Sequence, residues 1–227
     1  MLKKNNLSGI FYPPVQVITN NKVLDVNKIH FVLEKEQNKE KILKKINLLI
    51  KKFYSKNLSD FDLSKINLKS RYDDKTTKLV KLLLQNILPK KIRKKILNLI
   101  FEDVMGIEEK IFAKKLYLTR EQIHEMMKNN MFFGLHGNNH IRLEHLTKYK
   151  QCYEIESSLK FFKKIGVPKN NISFCYPYGS YNEQSLSLMK KNKLKFALTT
   201  KVGSLNKNNI SNIYEIPRYD ANDFKIN

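Results

Sequence analysis

The chain has 227 residues, of which 41% are hydrophobic, and this is enough for one sizeable core or for a core with an insertion. The formal net charge is +22, but the lysines that carry most of it are spread over nearly every predicted helix. A nucleic-acid-binding face needs one basic stripe interleaved with stacking aromatic residues. Nucleic acid is therefore not an expected partner, although a basic nucleic-acid-binding protein remains an alternative and weak attraction to acidic glycans or anionic lipid stays open.

The sequence also limits where the protein resides. No apolar run reaches the roughly 18 residues that a membrane span requires, and no secretion signal begins the chain, so we expect no membrane span and a cytoplasmic protein. The two cysteines, Cys152 and Cys175, lack metal-type spacing. We expect them to be free, semi-buried thiols in a reducing compartment.

The first half of the chain is predicted to be one strand followed by helices. Residues 7–14, LSGIFYPP, indicate a buried strand that ends at two prolines. Apolar residues at helical spacing then predict one amphipathic helix between Asp25 and about Lys56, a second over residues 79–87, and a third that Pro89 opens. Residues 35–115 are therefore predicted to be mostly helical.

After Thr119 the pattern becomes alternating helices and strands. The predicted helices begin at a Thr119/Gln122 capping box, at Thr147 and at Asn182. The predicted strands are MFFGL (131–135), NISFCYP (171–177), KFALTT (195–200) and IYEIPRY (213–219). This alternation predicts an α/β protein with a mainly parallel sheet, whose chemistry lies at the carboxyl ends of the strands.

Two motifs follow two of these strands. MFFGL leads directly into His136 and His140, and two neutral imidazoles suit zinc, cobalt, nickel or iron. A hydrolytic metal site also needs a third ligand, often a carboxylate, and an open position. An H-x-x-x-H pair alone is also compatible with a structural or accidental pair. The second motif is Y-P-Y-G-S-Y-N, residues 176–182, between a strand and a helix.

The order and spacing of these motifs, with KFALTT after them, resemble the polysaccharide deacetylases of carbohydrate esterase family 4. The resemblance covers about residues 7–14 and 116–224. It implies one deacetylase-like domain over residues 1–227, an α/β fold of the incomplete (β/α) barrel type, and a helical insertion at 35–115. It also implies a divalent metal, with zinc as the first candidate before cobalt, nickel or iron. The implied reaction is removal of an acetyl group from a cell-surface carbohydrate or its precursor.

The resemblance also assigns roles to individual residues. His136 and His140 match the family's metal ligands, and the backbone N–H of Tyr178 matches its oxyanion donor. Pro177, Gly179 and Arg218 are the candidate substrate-binding residues. Two other interpretations stay open: Pro177 and Gly179 also shape a tight turn, and Arg218 also suits a structural salt bridge.

The chain departs from the family pattern in its acidic residues. The family's aspartate pair, a base and a third metal ligand at the end of the first strand, has no match, because Met1 falls just before what resembles the second strand. The adjacent aspartates Asp73 and Asp74 are predicted to be charges at a helix N-terminus. Cys175 stands where many members have an arginine, and no late histidine follows.

These departures lead to further expectations. The metal is expected to be weakly held and the chain nearly inactive, because a missing general base costs about 10²- to 10⁴-fold in rate. A missing first strand would leave unpaired sheet edges, which favour aggregation or homo-oligomers. A non-catalytic carbohydrate-binding or regulatory relative is the alternative function. The sequence does not identify the sugar, the acyl group or the metal.

Overall fold

A computed structural model describes residues 2–63, 67–68, 72–168, 171–205 and 212–224. The chain divides into two compact units, of which the first comprises Met1–Asn21 with Leu116–Asn227 and the second comprises Lys22–Lys115. Within the described ranges, no helix is long and apolar enough to cross a membrane.

The first unit is an α/β unit built on parallel strands. Its elements are β1 (Ile10–Phe11), α1 (Val15–Thr19), α7 (Arg120–Lys128), β2 (Phe132–Phe133), α8 (Lys148–Lys164), β3 (Phe174–Cys175), α9 (Glu183–Lys191) and β4 (Ala197–Leu198). Strand β1 pairs with β2, and β3 pairs with β4, both in parallel. A parallel bridge from Leu135 to Phe174 connects the two pairs, and a second bridge, from Leu198 to Ile216, adds the last extended segment beside β4. The predicted parallel sheet is therefore confirmed.

The strands are shorter than the sequence predicts, since β2 spans Phe132–Phe133 within MFFGL and β3 spans Phe174–Cys175 within NISFCYP. The chain turns away further on, where Gly137 has a left-handed φ of 72° and Pro177 has no N–H to donate. Single hydrogen bonds still extend the pairing beyond the two-residue strands, since Leu135 N donates to Ser173 O at 2.8 Å and Cys175 N donates to Leu135 O at 2.9 Å.

Helices α7, α8 and α9 cover this ladder and begin at the predicted residues. Thr119 and Gln122 form the predicted capping box at α7, Thr147 precedes α8, and Asn182 caps α9. Their inward side chains join the strands in one core, which includes Ile123, Phe133, Leu135, Ile155, Leu159, Phe162, Phe174 and Met189. The short helix α1 was not predicted, because five residues are too few to show a helical period.

The second unit is helical. Its helices are α2 (Asp25–Lys35), α3 (Lys39–Tyr54), α4 (Lys75–Leu82), α5 (Lys90–Met105) and most of α6 (Glu109–Leu116). Residues 83–87 add a π-helical turn after α4. The prediction of one helix from Asp25 to Lys56 is wrong: Asn38 begins a new helix by accepting a hydrogen bond from Lys41 N. Pro89 immediately precedes α5, as predicted.

The adjacent aspartates belong to this helical unit. Asp74 is the N-cap of α4, and its carboxylate accepts hydrogen bonds from the backbone N–H and hydroxyl of Thr77. Asp73 forms an ion pair with Lys81 at 2.6 Å. Their predicted role as charges at a helix N-terminus is confirmed.

Candidate functional site

The two histidines lie together on a turn that follows the second strand of the ladder. Their ring centroids are 4.8 Å apart, with 60° between the ring planes. The turn reverses direction through left-handed residues at both ends, since φ is 72° at Gly137 and 53° at His140. This backbone conformation brings residues 136 and 140 to the same side of the turn.

The proton position on His136 follows from its hydrogen bond. Its Nδ1 lies 2.6 Å from the backbone oxygen of Cys175. A carbonyl oxygen only accepts, so Nδ1–H donates and Nε2 keeps its lone pair. A histidine that donates one ring N–H to a carbonyl and presents the other nitrogen is the usual arrangement for a metal ligand.

Both imidazoles are neutral near pH 7. Burial lowers the pKa of His136 to about 4, and the positive charge of Arg218 acts in the same direction. Burial also lowers the pKa of His140 to about 3, with smaller effects from His136 and Arg142. The neutral form is the one that binds a metal ion.

The turn after the third strand lies against the histidines. Its Tyr178 ring centroid is 4.7 Å from that of His140. Tyr178 and Gly179 have left-handed φ values of 59° and 66°, and Pro177 before them is buried. The structure therefore brings the two sequence motifs together.

Gly179 has a steric as well as a conformational reason to be glycine. A Cβ atom at this position would lie 2.0 Å from the side-chain oxygen of Thr200, which follows the fourth strand. Contacts under 3.0 Å are not tolerated without a shift of the neighbouring atoms. The turn can therefore approach the end of the neighbouring strand only with glycine at this position.

Arg218 lies at the end of the last extended segment. Its backbone N–H donates to Lys201 O at 2.9 Å, and its Nε donates to Thr199 O at 2.8 Å. The guanidinium is thus anchored to a carbonyl on the neighbouring segment. Asp220 also follows this segment. Its carboxylate caps a short turn by accepting a hydrogen bond from Asn222 N.

Two further charged residues at the site were not predicted. The guanidinium carbon of Arg142 is 4.6 Å from the centroid of the Tyr178 ring. Glu154 is buried on α8 and accepts hydrogen bonds from Asn138 and Asn139, which lie between the two histidines. A signal for Glu154 was present, because it lies one turn before Ser158 and next to Ile155, on the inward face of its helix.

The spacing of the two imidazole rings is compatible with binding of one shared metal ion. Two imidazole nitrogens bound to tetrahedral zinc at about 2.1 Å place the ring centroids about 5 Å apart, close to the observed 4.8 Å. Among the residues that the structure describes, no group of three or more His, Cys, Asp or Glu side chains is arranged to hold a metal ion. Within the described residues, the candidate metal donors at this turn are the two imidazoles.

The remaining candidate donors have other surroundings. His145 is exposed, with its ring 3.6 Å from Glu144, as expected for a surface histidine. Both cysteines are free, as predicted, but Cys175 is fully buried rather than half-buried. Burial raises the pKa of the Cys175 thiol, so this side chain is protonated at neutral pH. At Cys175 it is the backbone oxygen that forms the hydrogen bond to His136.

Comparison with known proteins gives one family. Residues 90–197 match the sequence profile of the polysaccharide deacetylase family. The Bacillus subtilis protein YxkH, assigned to the polysaccharide deacetylases, is 32% identical over 95 residues, which are 42% of this chain and 34% of YxkH. The chain therefore spans about a third of the length of that curated relative.

Solved structures of deacetylases are also similar to part of the chain. The deacetylase PplD of Streptococcus pyogenes, in complex with acetate, is 29% identical, with a TM-score of 0.41 over 44% of this chain and 43% of that one. A polysaccharide deacetylase from Bacillus cereus is 27% identical, with a TM-score of 0.39 over 44% of this chain and 31% of that one.

Proposed function

Because residues 90–197 belong to the polysaccharide deacetylase family, we propose that this chain is a metal-dependent hydrolase that removes acetyl groups from a carbohydrate. The observation that carries the proposal is the pair of neutral imidazoles at the ends of parallel strands, with ring centroids 4.8 Å apart and the Tyr178 turn against them. The proposal includes the barrel-type fold of the family, residues 35–115 as an insertion, and a cell-surface carbohydrate or its precursor as the substrate.

In this proposal each residue of the site has one task. His136 and His140 hold the metal, and the bond from His136 Nδ1 to the Cys175 carbonyl orients the ring. When bound, a metal such as zinc supplies Lewis-acid activation of water and of the acyl carbonyl. The backbone N–H of Tyr178 donates to the oxygen that becomes negative during hydrolysis.

The substrate-binding residues surround this centre. Pro177 and Gly179 fix the turn that carries the Tyr178 amide, and Arg218 binds a polar or anionic group of the sugar. Arg218 suits this task because its Nε is held by the Thr199 carbonyl, which leaves the guanidinium pre-oriented.

Turnover by this chain is proposed to be slow. Two imidazoles hold a metal more weakly than three ligands do. The proposed site also assigns no residue as a general base, and such a base contributes about 10²- to 10⁴-fold to the rate. The adjacent aspartates have no part in the proposed site, because Asp74 caps a helix and Asp73 pairs with Lys81.

Acetate release from N-acetylated chitooligosaccharides and from O-acetylated oligosaccharides, with and without added zinc or cobalt, tests this function. We expect slow, metal-dependent release that His136→Ala and His140→Ala each abolish. His145→Ala is the matched control, because this histidine is exposed beside Glu144, and it should release acetate as the wild type does.

Three results would contradict the proposal. Release that is independent of His136 and His140 would place the chemistry elsewhere. Oligosaccharide binding without release, unaffected by metal, would favour a non-catalytic carbohydrate-binding relative. Salt-sensitive binding to DNA or RNA without carbohydrate binding would favour a nucleic-acid-binding protein.

A further inference from the structure

We propose that Glu154 is a positioning residue, whose carboxylate holds the loop between His136 and His140 and so sets the metal affinity of the pair. The metal part of this inference rests on the proposed function. Glu154 lies on α8 with only 3% of its surface exposed, so its side chain is part of the interior.

Within the part of the chain that the structure describes, the hydrogen bonds to this carboxylate come from the loop between His136 and His140, here called the histidine loop. Its Oε2 accepts from the backbone N–H groups of Asn138 at 2.9 Å and Asn139 at 2.7 Å. Its Oε1 accepts from the side-chain amide of Asn139 at 2.5 Å. Hydrogen bonds to an ionised acceptor are shorter and stronger than neutral ones. A single side chain thus fixes two consecutive peptide groups between the proposed ligands.

The opposite edge of the loop is held by the short helix α1. Val15 N donates to the carbonyl of Gly137 at 3.3 Å, and Gln16 N donates to that of Asn138 at 3.0 Å. The side-chain amide of Gln16 donates to the carbonyl of Asn139 at 3.1 Å. The N–H groups of the loop therefore face Glu154, while its carbonyl groups face the helix.

The loop needs this support because its conformation is unfavourable in isolation. His140 has a left-handed φ of 53°, a region that residues with a side chain seldom adopt. Such conformations persist where surrounding contacts over-determine them. Weaker bonding to Glu154 would let His140 relax, which would move its ring away from the spacing that suits a shared metal ion.

The chain offers matched variants for the test. Glu154→Gln keeps the size of the side chain but removes its charge and one of its two acceptor oxygens. Glu156→Gln is the control, because Glu156 lies on the same helix, is 43% exposed and pairs with Lys191 at 3.1 Å. Asn139→Ala removes only the bond to Oε1 and leaves α8 unchanged.

Two readouts on the full chain separate positioning from general stability. Zinc affinity, measured by competition with a chromophoric chelator, should fall about 10- to 100-fold in Glu154→Gln, the usual effect of losing an outer-shell partner. In the metal-free protein, the imidazole ¹H–¹⁵N signals of His136 and His140 should be sharp in the wild type. In the variant, exchange between loop conformations should broaden or shift these signals. Glu156→Gln should match the wild type in both readouts.

Each outcome decides the proposal. Affinity and imidazole signals that stay at wild-type values in Glu154→Gln would overturn it, and so would an equal loss in Glu156→Gln. If Glu154→Gln does not fold, Asn139→Ala decides, with a smaller loss of zinc affinity expected and no loss overturning the proposal. If the wild type binds no zinc, the proposed metal function fails, and the metal-free imidazole signals still decide the positioning role.

Discussion

At the scale of single residues, left-handed glycines differ in what surrounds them. Gly179 and Gly166 both have positive φ, at 66° and 86°. A Cβ atom on Gly166 would meet no atom within 4 Å, whereas one on Gly179 would overlap the side chain of Thr200. The two positions therefore separate the conformational cost of a side chain from its steric cost.

Alanine substitutions at these glycines should show that difference. We expect Gly166→Ala to lower the free energy of unfolding by about 1–2 kcal/mol, the cost of a left-handed residue with a Cβ. Gly179→Ala should lower it by about 1–3 kcal/mol more, because the new methyl group must displace packed atoms. Urea unfolding of both variants measures these costs, and equal losses would contradict the steric argument.

Residue types at strand ends allowed part of the site to be predicted from sequence. His136, His140 and Tyr178 were expected together because each follows a parallel strand. The structure places the centroid of the His140 ring 4.8 Å from that of His136 and 4.7 Å from that of Tyr178. Glu154 and Arg142 were not predicted, because their roles depend on contacts that only the folded chain defines. A carboxylate on an apolar helix face does not reveal which N–H groups it will meet.

At the scale of elements, the start of α9 is tied to α8 by a buried polar network. The Asn182 side chain accepts from Ser185 N at 3.1 Å and from the amide of Gln151 at 3.3 Å. The Ser185 hydroxyl donates to the side-chain oxygen of Gln151 at 2.8 Å. The cap of one helix therefore also satisfies a buried amide on another.

Loss of this cap should cost more than loss of an ordinary one. We expect Asn182→Ala to lower the free energy of unfolding by about 2 kcal/mol or more, since it removes a cap and leaves the buried Gln151 amide short of a partner. Thr119→Ala removes the exposed cap of α7 and should cost about 1 kcal/mol. Urea unfolding compares the two, and equal costs would show that the Gln151 bond adds no stability.

Element boundaries were predictable where a capping residue is followed by a periodic helix. Thr119 and Asn182 fit this pattern, and both helices begin as predicted. The break between α2 and α3 was missed, because the apolar residues on both sides of residues 36–38 have helical spacing and together indicate one helix. Helix α1 was missed because its stability comes from contacts, including the bonds that it donates to the histidine loop.

At the scale of the whole molecule, the helical unit Lys22–Lys115 has an apolar core of its own. Its fully buried residues include Ile29, Ile46, Val80, Leu97 and Ile100, which lie on four different helices. The buried Lys28 ties α2 to this unit, since its ammonium lies 2.9 Å from Glu109 and 2.7 Å from Asn98. Sequence periodicity could not indicate these long-range partners, which place α2 in the helical unit.

A fragment of residues 22–115 is therefore expected to fold alone. Far-UV circular dichroism should show a helical spectrum, and urea should unfold the fragment in one cooperative transition. The same fragment with Leu97→Asp is the control, because an unpaired charge in this core should abolish the transition. A wild-type fragment that lacks cooperative unfolding would show that the unit needs the rest of the chain.

The acceptor for His136 Nδ1 is a main-chain oxygen, that of Cys175, and this affects how the site responds to mutation. Every amino acid carries that oxygen, so a substitution at position 175 keeps the acceptor for His136 Nδ1–H as long as the strand stays paired. Position 154 differs, because it contributes a side-chain carboxylate that most other residues lack. Random mutagenesis should therefore accept many replacements at position 175 that fit the buried space, and few at position 154.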